Sequence, residues 1–225
     1  MENEEPQEEE KELLIIHDTP KTCSICFKTG KSYINEKGDI LCDECFIDQK
    51  QMYINAFLQQ TFLHLSYDEI NEWIILGNED CAKDKNFLDN NGITHILICA
   101  EGCEVFFEGK YKYKILYLDD APDENILIRF KEAFDFINEA INNKGKVYVH
   151  CAMGISRSAS VVIGYLMYVN KLTYDDAFEF VCNKRKQICP NKGFVKQLQE
   201  FEEMLIKVNY TDNVFNIINQ DIQEE

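Results

Sequence analysis

The sequence predicts an α/β fold: a central, mostly parallel sheet flanked by helices, with a small separate module near the N-terminus. Three observations carry this. Short apolar, β-branched runs alternate with longer segments whose apolar residues recur at three and four, the pattern of strands joined through helices. The 225 residues with 45% hydrophobic content are enough for one packed domain of ordinary size and an appendage. Four of the ten cysteines fall between Cys23 and Cys45, ahead of the strand and helix region, and mark the appendage.

Residues 1–20 carry eight acidic residues against Lys11 and read as a solvated, disordered tail. In residues 21–47 the pairs Cys23-Ser-Ile-Cys26 and Cys42-Asp-Glu-Cys45 make two short turns, each aiming two thiolates at a common point. Four thiolates satisfy a tetrahedral zinc ion, so Cys23, Cys26, Cys42 and Cys45 are the expected ligands of a structural zinc. A module this small buries little apolar surface, and ligation is expected to supply most of its folding energy. Its spacing resembles zinc ribbon and treble-clef modules. Residues 48–66 hold no Gly or Pro and read as a connecting helix.

The main domain spans residues 67–208. Trp73 to Leu76, Ile93 to Cys99, Tyr113 to Leu118 and Val147 to His150 are the expected strands. Between them, Ile126, Phe130, Ala133, Phe134, Ile137 and Ile141 stripe one helix, which Gly145 ends and for which Asp123 is an N-cap or loop residue. Arg157 to Lys171 reads as a buried helix, Thr173 caps another running to about Gln187, and Phe194, Leu198, Phe201 and Leu205 stripe a last one. Residues 209–225, with four acidic residues and no Lys or Arg, read as an acidic C-terminal tail.

Of the net charge of -17, the two ends account for all but about -6, so nucleic acid is not an expected partner of the folded part. The sequence has no apolar stretch of bilayer length and its acidic start lacks the features of a signal peptide, which points away from a membrane and to an intracellular, cytoplasmic or nuclear setting. In that reducing setting ten cysteines favour metal or thiol chemistry over disulfides.

The chemistry concentrates in VYVHCAMGISRSAS, Val147 to Ser160. Cys151 stands where a β-branched run stops and a Gly/Ser-rich turn leads into a helix. A strand, a short loop and a helix start form a concave array of backbone N–H groups, reinforced by the positive end of the helix dipole, that suits a tetrahedral anion. Ala152, Met153, Gly154, Ile155, Ser156 and Arg157 would line it. The same field favours a thiolate, so Cys151 is expected to be a nucleophile at neutral pH. Arg157 offers a planar fork to two phosphate oxygens, where lysine would not serve. Gly154 permits the tight turn, and the Ser158 hydroxyl is within reach of the Cys151 sulfur.

His150-Cys151-x-x-Gly154-x-x-Arg157-Ser158 resembles the active-site signature of cysteine-dependent protein phosphatases. Residues from about Tyr67 to Val208 are similar to the dual-specificity phosphatase catalytic domain, including WIILGNEDCA, GITHILICA, YLDDAPDENIL and ICPNKGFVKQLQEFE. The resemblance implies a general acid on the loop before the helix that precedes the Cys151 strand. Asp119 and Asp120 both qualify, and the family offset of five residues from Asn125 selects Asp120. It further implies a cysteinyl-phosphate intermediate, catalysis without a metal, an orienting role for His150, and support of the phosphate loop by Asn191. The implied substrate is a phosphoprotein, for example a kinase or other signalling protein, dephosphorylated at phosphotyrosine and at phosphoserine or phosphothreonine. A phosphoprotein-binding pseudophosphatase, a phosphatase of a non-protein phosphate ester and a rhodanese-like sulfurtransferase are the competing readings.

Outside this stretch, His17, His64 and His95 lack metal-ligand spacing and read as structural or surface residues. Lys184-Arg185-Lys186 reads as a solvated basic helix face, the alternative being a contact for an acidic phosphoprotein. Cys99 and Cys103 precede the active site in sequence, and either is a candidate for a reversible disulfide with Cys151 under oxidation.

Overall fold

The computed structural model describes residues 16–22, 24, 29–34, 40–42, 47 and 66–224. The chain forms two units divided at residue 55. In the first, β1 (Ile16–Thr22), β2 (Thr29–Ile34) and β3 (Ile40–Cys42) form an antiparallel sheet in that order. Strand β1 therefore begins inside the stretch assigned to the acidic tail, because Ile16 and His17 pair with Tyr33 and Ser32 of β2. Of the four expected zinc ligands, Cys42 is described and buried at the end of β3; Cys23, Cys26 and Cys45 lie outside the described residues, as do residues 48–65 of the expected connecting helix.

In the second unit, β4 (Tyr67–Glu69) and β5 (Ile74–Gly77) lead into two short helices, α1 (Glu79–Lys83) and α2 (Lys85–Asn90). Then follow β6 (Ile93–Ile98), β7 (Lys112–Ile115), α3 (Leu127–Asn142), β8 (Lys146–His150), α4 (Arg157–Asn170), α5 (Tyr174–Lys184), α6 (Lys192–Lys207) and α7 (Asn213–Glu224). The sheet order is β4-β5-β8-β6-β7, antiparallel at β4-β5 and parallel elsewhere. The sheet is mixed, with its single antiparallel strand at the edge.

Strand β8 is central, and Val147, Tyr148, Val149 and His150 have no exposed surface. Side chains alternate across a strand, so neighbours along β8 serve opposite faces. Tyr148 joins Ile75, Ile96 and Ile98 against Cys81, Phe87 and Leu88 of α1 and α2. The other face packs on α3 and α4, and Phe130 and Phe134 of α3 meet Phe201 of α6 ring to ring. Gly164 of α4 allows this approach; a Cβ there would lie 2.7 Å from the Phe130 ring. With both faces covered, β8 is a fully buried strand that ends at the loop carrying Cys151.

Three details differ from the sequence reading, and for Asp123 the loop alternative holds. Strand β4 pairs antiparallel with β5 although its residues show no apolar run. Asp123 lies in the loop and caps nothing; Gln197 of α6 reaches across instead, accepting from the Ile126 amide at 2.9 Å and donating to the Glu124 carbonyl at 2.8 Å. Helix α5 begins at its Thr173 cap but stops at Lys184, where Arg185 becomes extended. Residues 213–224, read as part of an acidic tail, form helix α7. Its Val214, Phe215 and Ile218 are buried, and Phe215 packs on Phe134 and Tyr168 at 6.1 and 5.5 Å. The acid count hid an amphipathic stripe.

Candidate active site

The site is built where β8 ends. Residues 151–156 form a loop between β8 and α4, so Cys151 sits at the end of a buried strand with a helix N-terminus ahead of it. Cys151 is 1% exposed. Its Sγ accepts from the Gly154 amide and from the Ser158 hydroxyl, both at 3.2 Å. Two donors thus converge on one sulfur. Gly154 has φ +67°, and a Cβ there would stand 2.3 Å from the Gly77 carbonyl oxygen, so the loop needs glycine on two counts.

His150 is fully buried beside it, stacked on Tyr148 at 5.4 Å, and its Nδ1–H donates to the Cys151 carbonyl at 3.1 Å. Burial pushes its pKa down to about 4, so the ring is neutral at physiological pH. A neutral ring with a fixed donor orients the loop's first peptide.

Arg157 opens α4. Its Nη1 donates to the Leu118 carbonyl at 3.3 Å, and its buried Nε, with no hydrogen-bond partner among the described residues, lies 3.7 Å from Asp120 Oδ2. Asp120 stands in the loop between β7 and α3. Its Oδ1 accepts from the Ser156 hydroxyl at 2.6 Å and from the Asn191 amide at 2.9 Å. Asn191 also accepts from the Phe194 amide at 3.0 Å as the N-cap of α6, and its own N–H donates to Ser156 Oγ at 3.0 Å. Ser156 thus leaves α4 without a side-chain cap and spends its hydroxyl on the carboxylate. At Asp119 it is the backbone N–H that is engaged, donating to Glu124 Oε2 at 3.2 Å. Of the two candidate acids, Asp120 is the one joined to the loop.

The structure thus brings together Cys151, Arg157, Asp120, Ser156, Ser158, His150 and Asn191, and the remaining loop residues Ala152, Met153, Gly154 and Ile155 connect them. Cys99 is fully buried on the neighbouring strand, its amide donating to the His150 carbonyl at 2.7 Å. Burial pushes its thiol well above the usual cysteine range, with Cys151 adding to the rise, and burial pushes Cys103 up to about 11. His95 is buried in β6, its Nδ1 sharing a hydrogen bond with Thr94 Oγ1 at 2.8 Å.

One residue contradicts its sequence reading. Arg185, expected on a solvated face, has a fully buried side chain paired with Asp68 at 2.7 Å. Its Nε donates to the Gly154 carbonyl at 2.8 Å and its Nη2 to the Met153 carbonyl at 3.3 Å and to Ser66 Oγ at 3.1 Å. With the Gln187 carboxamide oxygen turned toward the guanidinium, it accepts from Nη1 and Nη2 at 3.1 and 2.7 Å. The signal was present: Ala177, Val181 and Arg185 recur every four residues, so Arg185, just past the end of α5, continues the line of its buried stripe.

A family model of the dual specificity phosphatase catalytic domain matches residues 74–204. The chain belongs to this family. Mouse dual specificity protein phosphatase 19 is 40% identical over 147 residues, 65% of this chain and 67% of that protein. Human dual specificity protein phosphatase 1 is 41% identical over 138 residues, 61% of this chain and 38% of that protein. The matched part thus covers two thirds of one curated relative and little more than a third of the other. Among solved structures, the human tyrosine phosphatase-like serine/threonine/tyrosine-interacting protein has a TM-score of 0.60 at 38% identity, covering 62% of this chain and 97% of that one. A mouse putative dual specificity phosphatase complexed with zinc tungstate has a TM-score of 0.63 at 25% identity, covering 67% and 94%. Since the fold also serves a protein titled phosphatase-like, the dual specificity phosphatase fold alone does not decide activity; the residues of the loop do.

Proposed function

We propose that this chain is a protein phosphatase that hydrolyses phosphotyrosine and phosphoserine or phosphothreonine through a cysteinyl-phosphate. The observation that carries the reading is the Cys151 sulfur, held by the Gly154 amide and the Ser158 hydroxyl at a helix start, in one network with Arg157 and Asp120. Relatives named dual specificity protein phosphatases support it.

In the first step the thiolate attacks phosphorus in line, an S–P bond forms, and the P–O bond to the substrate breaks as Asp120 gives its proton to the leaving oxygen. Arg157 spans two equatorial oxygens and follows their charge through the transition state. In the second step water attacks phosphorus, Asp120 takes its proton, and the S–P bond breaks. Ser158 then eases the departure of sulfur by its hydrogen bond. His150 keeps the loop's first peptide in place and exchanges no proton, consistent with its burial. Ser156 and Asn191 hold the acid.

The pseudophosphatase alternative would need a nucleophile, cation or acid to be missing, and Cys151, Arg157 and Asp120 are all present. Phosphoproteins, kinases or other signalling proteins among them, are the proposed substrates, in an intracellular setting. No helix among the described residues is long and apolar enough to cross a membrane. A structural zinc held by Cys23, Cys26, Cys42 and Cys45 is proposed for the N-terminal unit on the cysteine spacing, with which the burial of Cys42 agrees. Elemental analysis of the purified chain is expected to find one zinc, lost in a Cys23→Ser, Cys42→Ser double variant.

The deciding experiment is Cys151→Ser. It is expected to lower turnover of a phosphotyrosine peptide by about 10⁴-fold or more while leaving peptide binding in place. Rapid acid quenching of the wild type should trap phosphate on Cys151. Undiminished hydrolysis in the variant would overturn the reading.

A further inference from the structure

The phosphate loop has an outer side, and its contacts there are unusual. A guanidinium with no exposed surface lies against the backs of two consecutive peptides, donating to the Met153 and Gly154 carbonyls. Burying a cation is costly unless its donors are met, and here Asp68, Ser66, the Gln187 carboxamide and both carbonyls meet them. The loop receives a fixed positive charge on its outside.

Peptide planarity links that outside to the inside. In a trans peptide the C=O of one residue and the N–H of the next point in opposite directions. A Met153 carbonyl drawn outward therefore sends the Gly154 N–H inward, where it donates to Cys151 Sγ at 3.2 Å. A Gly154 carbonyl drawn outward sends the Ile155 N–H inward in the same way. Left alone, these peptides have little reason to keep that sense, because Gly154 with φ +67° is the residue most able to turn over. A flipped peptide would turn a carbonyl oxygen toward the sulfur and toward any bound anion.

We infer that Arg185 is a positioning residue for the proposed dephosphorylation: by gripping the Met153 and Gly154 carbonyls from outside, it fixes the two peptides whose N–H groups face the thiolate and the phosphate. Asp68, brought from edge strand β4, holds the guanidinium in register. The strand with no apolar run thereby acquires a purpose, since it carries the counter-ion of the loop's outer clamp. The inference rests on the phosphatase reading and adds to it a residue that touches no substrate.

The test uses the full chain, with Arg185→Met and Arg185→Lys compared against wild type. Two readouts report the inner N–H groups without turnover: the rate of iodoacetamide alkylation of Cys151 at neutral pH, and inhibition of alkylation by orthovanadate. In Arg185→Met both are expected to weaken by about tenfold to a hundredfold, the usual cost of misplacing a reacting group by a remote change. Arg185→Lys keeps the charge beside Asp68 and so the fold, yet cannot fork onto both carbonyls, and should fall between. Wild-type alkylation and vanadate protection in folded Arg185→Met would overturn the inference. If that variant does not fold, the lysine variant decides by the same two readouts, wild-type values in it counting against the inference. A wild type that is neither alkylated at neutral pH nor protected by vanadate would instead remove the phosphatase reading beneath it.

Discussion

The two sides of the phosphate loop each hold one arginine, and they are treated in opposite ways. Arg157, on the inner side, keeps 15% of its side chain exposed, donates to the Leu118 carbonyl, and has an Nε without a hydrogen-bond partner among the described residues. Arg185, on the outer side, has no exposed side-chain area and uses all three nitrogens on neighbours. A buried donor left unmatched costs stability, and at Arg157 the unmatched Nε belongs to the side chain proposed to bind the phosphate. The difference teaches how to sort buried charges: the saturated cation is scaffold, and the under-matched one faces the chemistry.

That sorting predicts opposite signatures for the two residues. Arg157→Lys should lower kcat/KM for a phosphotyrosine peptide by about 10³-fold, since a point charge replaces a fork in the transition state. Its melting temperature should move little. Arg185→Met should lose about 2–4 kcal/mol of stability because a buried network is left open, with a smaller, about tenfold to hundredfold, loss at the site. Melting curves and steady-state kinetics on the same samples check both. A large loss of stability in Arg157→Lys would break the contrast.

On the inner side, the Ser156 and Asn191 contacts to Asp120 Oδ1 leave Oδ2 toward Arg157. An acid so placed matters most when the leaving oxygen is a poor one. Asp120→Asn should slow phenyl phosphate hydrolysis by about 10²-fold and affect p-nitrophenyl phosphate much less, whereas Asp119→Asn should stay within about twofold for both. Leaving-group dependence of kcat/KM makes the measurement, and a reversed pair would move the acid to Asp119.

These contacts also show what a sequence discloses and what it conceals. The strands of the parallel sheet and the long helices were legible, because burial on both faces leaves apolar runs and stripes. The loop was legible because Cys151, Gly154 and Arg157 each meet a chemical demand at a fixed spacing. Strand β4 was not, since an edge strand paired on one side needs no apolar run. Arg185 was misread because basic neighbours on either side of it in sequence outweighed a stripe that continued through it. The link from Ser156 to Asp120 spans 36 residues and belongs to the tertiary structure alone. Helix α7 was hidden by judging its segment on acidic charge rather than on the spacing of Val214, Phe215 and Ile218.

His150 supplies the finest test, because it grips the same loop through a neutral donor where Arg185 uses a charged one. Burial lowers its folded pKa to about 4, below the ordinary value of about 6.5 for an unfolded chain. Between those values the unfolded chain binds more protons, so stability rises with pH across this window and falls as the solution is acidified through it. Above the window the ring is neutral in both states and adds no pH dependence. The span corresponds to on the order of 3 kcal/mol, which His150→Asn should remove while its amide still offers a donor to the Cys151 carbonyl. Urea unfolding at neutral pH and near pH 4.5 measures it: the wild type should lose more stability than His150→Asn between the two conditions. Equal losses would mean that the ring is protonated as easily in the fold as outside it, and that the contrast between a neutral and a charged grip on the loop is not real.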